Sequence, residues 1–352
     1  MSTPTASYAG KSDLQFIPAA RTGLRLTAFF IGGLLGLALL IGLVIRADAV
    51  AILQTLGLAG WALLWLVPYR ALYFLLYAIG WLDLLRPCDR ERRAGLGYLF
   101  WVTSVREAID RLLPVASVGG SVAGVRLLRW RHLPGAPVSA SVIVEILLTV
   151  CVLYLFTAVG LFLLFNLHAA GEDYRRVLLG FLFGLPVPIA AVLLLRNGSV
   201  FARLQRLLRP LVGQGAMSAG AAALDRELRA SLSRGWTLLG VGSLQFVAVT
   251  SAAFEVWLVL RLCGHPVGAG AALILESMTQ ALRHVAFIVP AGIGVQEAGL
   301  VVFGHVLGIG SDLALAVSMA KRMREILCGL PPLLSWQWLE GRRLHSLPRR
   351  PT

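Results

Sequence analysis

Charged side chains are scarce in this 352-residue chain. Asp, Glu, Lys and Arg make up 14% of it and hydrophobic residues 57%, against roughly 25% charged in an average soluble domain. The deficit excludes a soluble globular protein and leaves no polar stretch long enough for a separate catalytic domain. Cysteine is rare as well. Cys88, Cys151, Cys263 and Cys328 show no CxxC spacing, so they read as small packing residues rather than a disulfide framework or a metal site. GxSxG, Walker A and HExxH elements are missing and the histidines are dispersed; no cofactor or metal is expected.

The charge that is present has one dominant sign, a net +14 that is almost wholly arginine. It sits in short loops between apolar runs, which is the positive-inside pattern of a membrane protein and not a nucleic-acid surface. Runs long enough to span a bilayer cover 26–45, 57–82, 138–165, 177–195, 235–260 and 313–338. The first is too long for a signal-peptide core and reads as an uncleaved span. Two other regions, 94–125 and 268–308, are apolar but broken by glycines and charges, with candidate turns at 114–124 and 290–299.

Charge bias orders these pieces. If each broken region enters and leaves on one side, there are six full crossings. The segments 1–25, 86–93, 126–132, 196–234 and 339–352 then carry about 21 Lys and Arg, against about 4 in the opposite loops. The expected fold is an all-α polytopic membrane protein: about six full transmembrane helices plus two re-entrant broken-helix regions in an inverted repeat. An offset of 173 between the halves aligns Ser104 with Ser277, Ala108 with Ala281 and Gly119 with Gly292. A cytoplasmic segment 1–25 precedes the membrane domain 26–338, and a cytoplasmic tail 339–352 follows it. The basic linker 196–234 reads as amphipathic helix at an anionic leaflet. The expected location is a bacterial inner membrane with both termini cytoplasmic.

Against this apolar background, intramembrane charges mark the candidate site, because each costs roughly 2.5–3.5 kcal/mol on insertion scales and normally faces a bundle interior or a watery cavity. Glu276, Gln280, Arg283 and His284 share a helical face that runs into Pro290, Gly292, Gly294, Gln296 and Glu297. Broken backbone at that depth survives only where protein buries it or a cavity adjoins it. Two readings of Glu297 stay open: a substrate-pathway group, or a helix cap paired with a nearby arginine. Lys321, Arg322, Arg324 and Glu325 form a second cluster, with Glu297, Glu276 and Arg283 as candidate partners. Arg106, Glu107, Asp110, Arg111 and Arg126 mirror it in the first half, with Glu145 as partner for Arg126 or Arg111. Glu297, Arg283 and Arg324 are expected to line one cavity.

The stretch 276–338, with its PAGIGVQE and KRMRE elements, and the stretch LLPVASVGGSVAGVRLL at 112–128 resemble the flippase-like domain family, also called the lysylphosphatidylglycerol synthase transmembrane region. The nearest pattern is the branch associated with hopanoid biosynthesis. The resemblance covers roughly 24–340 and implies a lipid-translocating or lipid-exporting domain lacking the appended soluble aminoacyl-transferase domain. It also implies that Pro290, Gly292, Gly294, Gln296, Glu297, Lys321, Arg322, Arg324 and Glu325 lie at or beside a translocation cavity. Ser121 stands where the family pattern leads one to expect an acid. The partner expected is a membrane lipid, hopanoid-related or phospholipid, together with lipid-biosynthesis proteins. Two other functions fit the same residues: a membrane-embedded lipid-modifying enzyme using Glu297, His284 or Glu325 as acid or base, and a scaffold docking through 196–234.

Overall fold

The computed structural model describes residues 57, 60–113, 119–167, 216–286, 289 and 292–346. The expected spans 26–45 and 177–195 lie outside them, as do Pro290 and the segment 114–118 within the first broken region.

Every regular element among the described residues is helical. A 3-10 turn at Gly60–Trp65 leads into α1, Leu66–Leu85. Pro87 cannot continue that helix, and Asp89 accepts hydrogen bonds from the Arg93 and Ala94 amides, both at 2.8 Å, to shape the following turn. The first broken region is a helical hairpin of α2, Leu96–Leu112, and α3, Gly119–Arg129. Helix α4, Gly135–Leu167, carries one charge over its whole length. Helix α5, Ala216–Leu232, occupies the end of the expected basic linker and packs on α4. Helix α6 is Gly235–Leu262. The second broken region is the hairpin α7, Ala269–Val285, and α8, Val295–Val306. Helix α9 runs Ser311–Ser346 through Pro331 and Pro332.

Three of these are long and apolar enough to cross a membrane: Gly60–Leu85, Gly135–Asn166 and Gly235–Leu262. At about 1.5 Å per residue each exceeds a hydrocarbon core of about 30 Å. Helix α9 is longer still, yet the charges at 321–325 keep it out of that compositional class. Their neutralisation is a matter of tertiary partners.

Side-chain contacts fix the helix directions. The Tyr69 hydroxyl donates to the Ser251 carbonyl at 2.7 Å, Gly80 faces Val241, and Arg234 donates to the Leu84 carbonyl at 3.1 Å, so α1 and α6 are antiparallel. The Trp101 indole donates to Ser335 at 2.8 Å while Gly329 lies against Ala108 and Leu112, so α2 and α9 are antiparallel. Gly160 lies against Ser277 and Met278, and Leu153, nearer the start of α4, lines the same cavity as His284, nearer the end of α7, so α4 and α7 are antiparallel as well. The α2–α3 hairpin therefore opens at the end where α1 finishes, and the α7–α8 hairpin at the opposite end. Each hairpin's first arm packs on the other half's last helix, so exchanging the halves preserves the pattern of contacts.

The end where α1 finishes is arginine-rich. Arg131 stacks on Tyr98 (4.4 Å), Arg343 on Trp130 (4.8 Å) and Arg342 on Trp338 (4.7 Å), a belt of aromatic rings and guanidiniums suited to a headgroup layer. Leu228 and Leu232 of α5 join the core cluster there with Val138 and Val142.

Candidate functional site

Described residues beside the two hairpin turns, Asp110, Arg111 and Ser121 of the first and Arg283, His284, Val289 and Gly292 of the second, face one cavity. Glycine makes both tips possible. A Cβ on Gly120 would lie 2.4 Å from the Arg106 carbonyl, so only glycine lets α3 start this close to α2. Its amide donates to Asp110 at 2.8 Å. In the second hairpin Gly292 and Gly294 hold positive φ, 61° and 79°, where L side chains are strained. The Gly294 amide donates to the Glu297 carboxylate at 2.7 Å, the return half of a capping box that starts α8.

From these turns inward the charges are paired. On α9, Lys321 pairs with Glu276, Arg322 with Glu297 at 3.1 Å, and Arg324 with Glu255 at 2.8 Å. Ser318 donates to Glu297 at 2.9 Å and accepts from Gln296 at 3.0 Å; Gln280 donates to the other oxygen of Glu276 at 2.9 Å. On the first hairpin, Glu107 takes Arg70 at 2.9 Å and Arg111 at 3.0 Å, and Arg106 reaches Glu145 at 2.7 Å while lying 4.5 Å over Trp81. Arg283 donates to Gln296 at 2.8 Å. Between the two ends the cations Arg70, Arg106, Arg111, Arg283, Lys321, Arg322 and Arg324 are thus matched in number by Glu107, Asp110, Glu145, Glu255, Glu276, Glu297 and Glu325. Among the described residues the interior charges balance in number.

The two tips enclose a cavity of about 320 Å³. One wall is Arg106, Glu107, Asp110, Arg111 and Ser121 of the first hairpin; the opposing wall is Arg283, His284, Val289 and Gly292 of the second. Tyr73, Tyr77, Thr103 and Thr149 complete the polar lining with Glu145. Its third side is apolar, Ile146, Val150 and Leu153 of α4, and Ile146 and Val150 are exposed. The polar group contributed by α4, Glu145, stands about 15 Å along that helix from its start. A separate void of about 10 Å³, among Arg70, Glu107, Arg111, Arg324 and Glu325, has room for roughly one water.

The sequence candidates divide accordingly. Arg106, Glu107, Asp110, Arg111, Glu145, Arg283, His284 and Gly292 face the cavity. Glu276, Gln296, Glu297, Lys321 and Arg324 are buried in the network behind the second tip, with Gln280, Gly294, Arg322 and Glu325 in the same hydrogen-bonded group. Of the trio Glu297, Arg283 and Arg324, only Arg283 reaches the cavity. Glu297 is wholly enclosed, doing the capping and pairing work that was the other of its two readings. Arg126 pairs with Glu340 at the arginine-rich end, away from the cavity, and Glu145 pairs with Arg106 rather than with Arg126 or Arg111. Sequence reading passed over Tyr73, Tyr77, Thr103 and Thr149. The signal available was Arg70: residues 70, 73, 74 and 77 share one helical face, and Arg70 lies 3.7 Å over the Tyr73 ring. Among the described residues no group of His, Cys, Asp and Glu could hold a metal ion.

The comparisons agree with this anatomy. The family model for the lysylphosphatidylglycerol synthase TM region matches residues 30–330. Neither a curated protein nor a solved structure matches the chain. The match takes in both hairpins and the whole of the described interior network, and on it the chain belongs to the lysylphosphatidylglycerol synthase transmembrane-region family, membrane proteins related to lipid metabolism.

Proposed function

We propose that this protein moves a polar-headed membrane lipid between leaflets, carrying the headgroup through the cavity between the hairpin tips while the tails stay outside along α4. The observation that carries this reading is the cavity's split character. Charged and hydroxyl-bearing residues make up two of its walls, and Ile146, Val150 and Leu153 form an apolar third side, with Ile146 and Val150 exposed. An amphipathic ligand matches both surfaces at once; a soluble one leaves the apolar side wet.

The membrane arrangement belongs to the same proposal: six full crossings, two re-entrant hairpins in an inverted repeat, and the arginine-rich end on the cytoplasmic side of a bacterial inner membrane. The opposed hairpin openings, the exchange-symmetric contacts and the Arg–Trp belt support it. In such repeats, sites lie near the midplane at broken helices, and rocking of one half against the other alternates access.

The test is redistribution of headgroup-labelled lipid in proteoliposomes, read by a membrane-impermeant quencher, with product analysis alongside. Translocation without chemical change, abolished in Arg283→Gln and Glu145→Gln variants that remain folded, is the expected result. Product formation overturns it in favour of an enzyme; unchanged translocation in both variants removes the cavity from the pathway.

A further inference from the structure

Glu325 occupies an unusual position. One of its oxygens lies 3.8 Å from each of three guanidinium nitrogens, on Arg111 of the first hairpin, Arg283 of the second and Arg324 of its own helix. These separations hold the charges together but exceed hydrogen-bonding length. The other oxygen is held by Arg322 at 3.1 Å. Arg324 is 3% exposed, yet its Nη1 has no hydrogen-bond partner. Arg111 and Arg283 both face the cavity, and each uses only part of its five-donor fork, on Glu107 and Gln296 respectively. Buried guanidinium donors normally find acceptors. Here two forks from opposite hairpins converge on a single loosely placed carboxylate oxygen, and both side chains line the cavity.

We propose that Arg111 and Arg283 form a phosphoryl subsite, and that Glu325 is the internal anion balancing it when no substrate is present. The inference rests on the lipid-translocation reading and narrows its substrate to lipids whose headgroup carries a phosphoryl group. A phosphoryl group offers several acceptor oxygens that can take both forks in charge-assisted, bidentate fashion, which one distant carboxylate oxygen does not. On binding, the substrate anion bridges the two hairpins in place of Glu325, whose carboxylate stays with Arg322. The ligand thereby alters the contact joining the two halves, which is where alternating access requires a substrate-dependent change.

Binding to the purified full chain in a neutral detergent tests this by calorimetric titration with three probes: short-chain phosphatidylglycerol, the matching diacylglycerol, and inorganic phosphate. Phosphatidylglycerol is expected to bind at least tenfold more tightly than either other probe. Arg111→Gln and Arg283→Gln should each weaken it at least tenfold, Arg283→Lys less so, and Glu325→Gln should tighten it several-fold by removing the competing anion. Should Glu325→Gln fail to fold, the two arginine variants carry the test alone. Equal binding of diacylglycerol overturns the phosphoryl subsite while leaving lipid binding intact. Inorganic phosphate binding as tightly as the lipid, with the same arginine dependence, keeps the anion site but overturns the lipid as its ligand. Binding of none of the three overturns both readings, and weaker phosphatidylglycerol binding in a folded Glu325→Gln variant overturns the role of Glu325.

Discussion

The two hairpins are built on one plan and use their charges differently. In α7–α8 nearly every polar group is spoken for: Glu276 by Lys321 and Gln280, Glu297 by its own cap, Ser318 and Arg322. These bonds staple the hairpin to α9, and Glu276 and Glu297 are fully buried. In α2–α3 the charges Arg106, Glu107, Asp110 and Arg111 all line the open cavity. Among the described residues Asp110 has no cation within ion-pairing distance; its recorded partner is the Gly120 amide. A broken helix with charges is thus not one device. Enclosed charges build the tip, and charges left beside open space are available to a ligand.

Substitutions that treat the two hairpins alike should reveal the difference. The largest stability loss is expected for Glu276→Ala, which leaves Lys321 charged and enclosed; breaking such a pair costs about 3–5 kcal/mol, seen as a large fall in melting temperature in detergent or as failure to accumulate. Gly120→Ala should cost about 1–3 kcal/mol, because the added methyl meets the Arg106 carbonyl and overpacking of that order is typical; it would act on the first tip and leave the second intact. Arg106→Gln should abolish most lipid redistribution yet lower the melting temperature less than Glu276→Ala, since water in the cavity can solvate the abandoned Glu145. If Arg106→Gln proves as destabilising as Glu276→Ala, the contrast between the hairpins disappears. The smallest effect is expected for Arg126→Ala. Arg126 is largely solvent-facing in its pair with Glu340, and pairs with an exposed partner contribute about 0–1 kcal/mol, so melting and transport should both stay near wild type.

Much of this was legible from the chain. Helical spacing put Glu276, Gln280, Arg283 and His284 on one face, and the structure keeps them within one helix. The glycines at 119–120 and 292–294 announced the turns; Gly120 permits the close approach to α2, and Gly292 and Gly294 take the positive φ observed. Pairing was harder to read. Glu276 and Glu297 stood among the candidate partners of the 321–325 cluster, and Lys321 and Arg322 do reach them; Glu145, expected to pair with Arg126 or Arg111, pairs instead with Arg106, since partners in a helix bundle are chosen by packing register and not by sequence distance. The cavity itself was invisible for the same reason. Its polar wall comes from five helices, and Tyr73 and Tyr77 look like ordinary residues of an apolar span until α1 is placed against α2 and α4.

The central claim is that a lipid headgroup enters between the hairpin tips with its tails against α4. Photo-crosslinking in proteoliposomes reaches it most directly, using one lipid with a diazirine in the headgroup and a second with the diazirine in the acyl chain, followed by peptide mapping. The account predicts headgroup adducts within 106–121 and 283–292 and acyl adducts within 146–153. Headgroup adducts confined to the arginine-rich end of the bundle, with none at either tip, would contradict it.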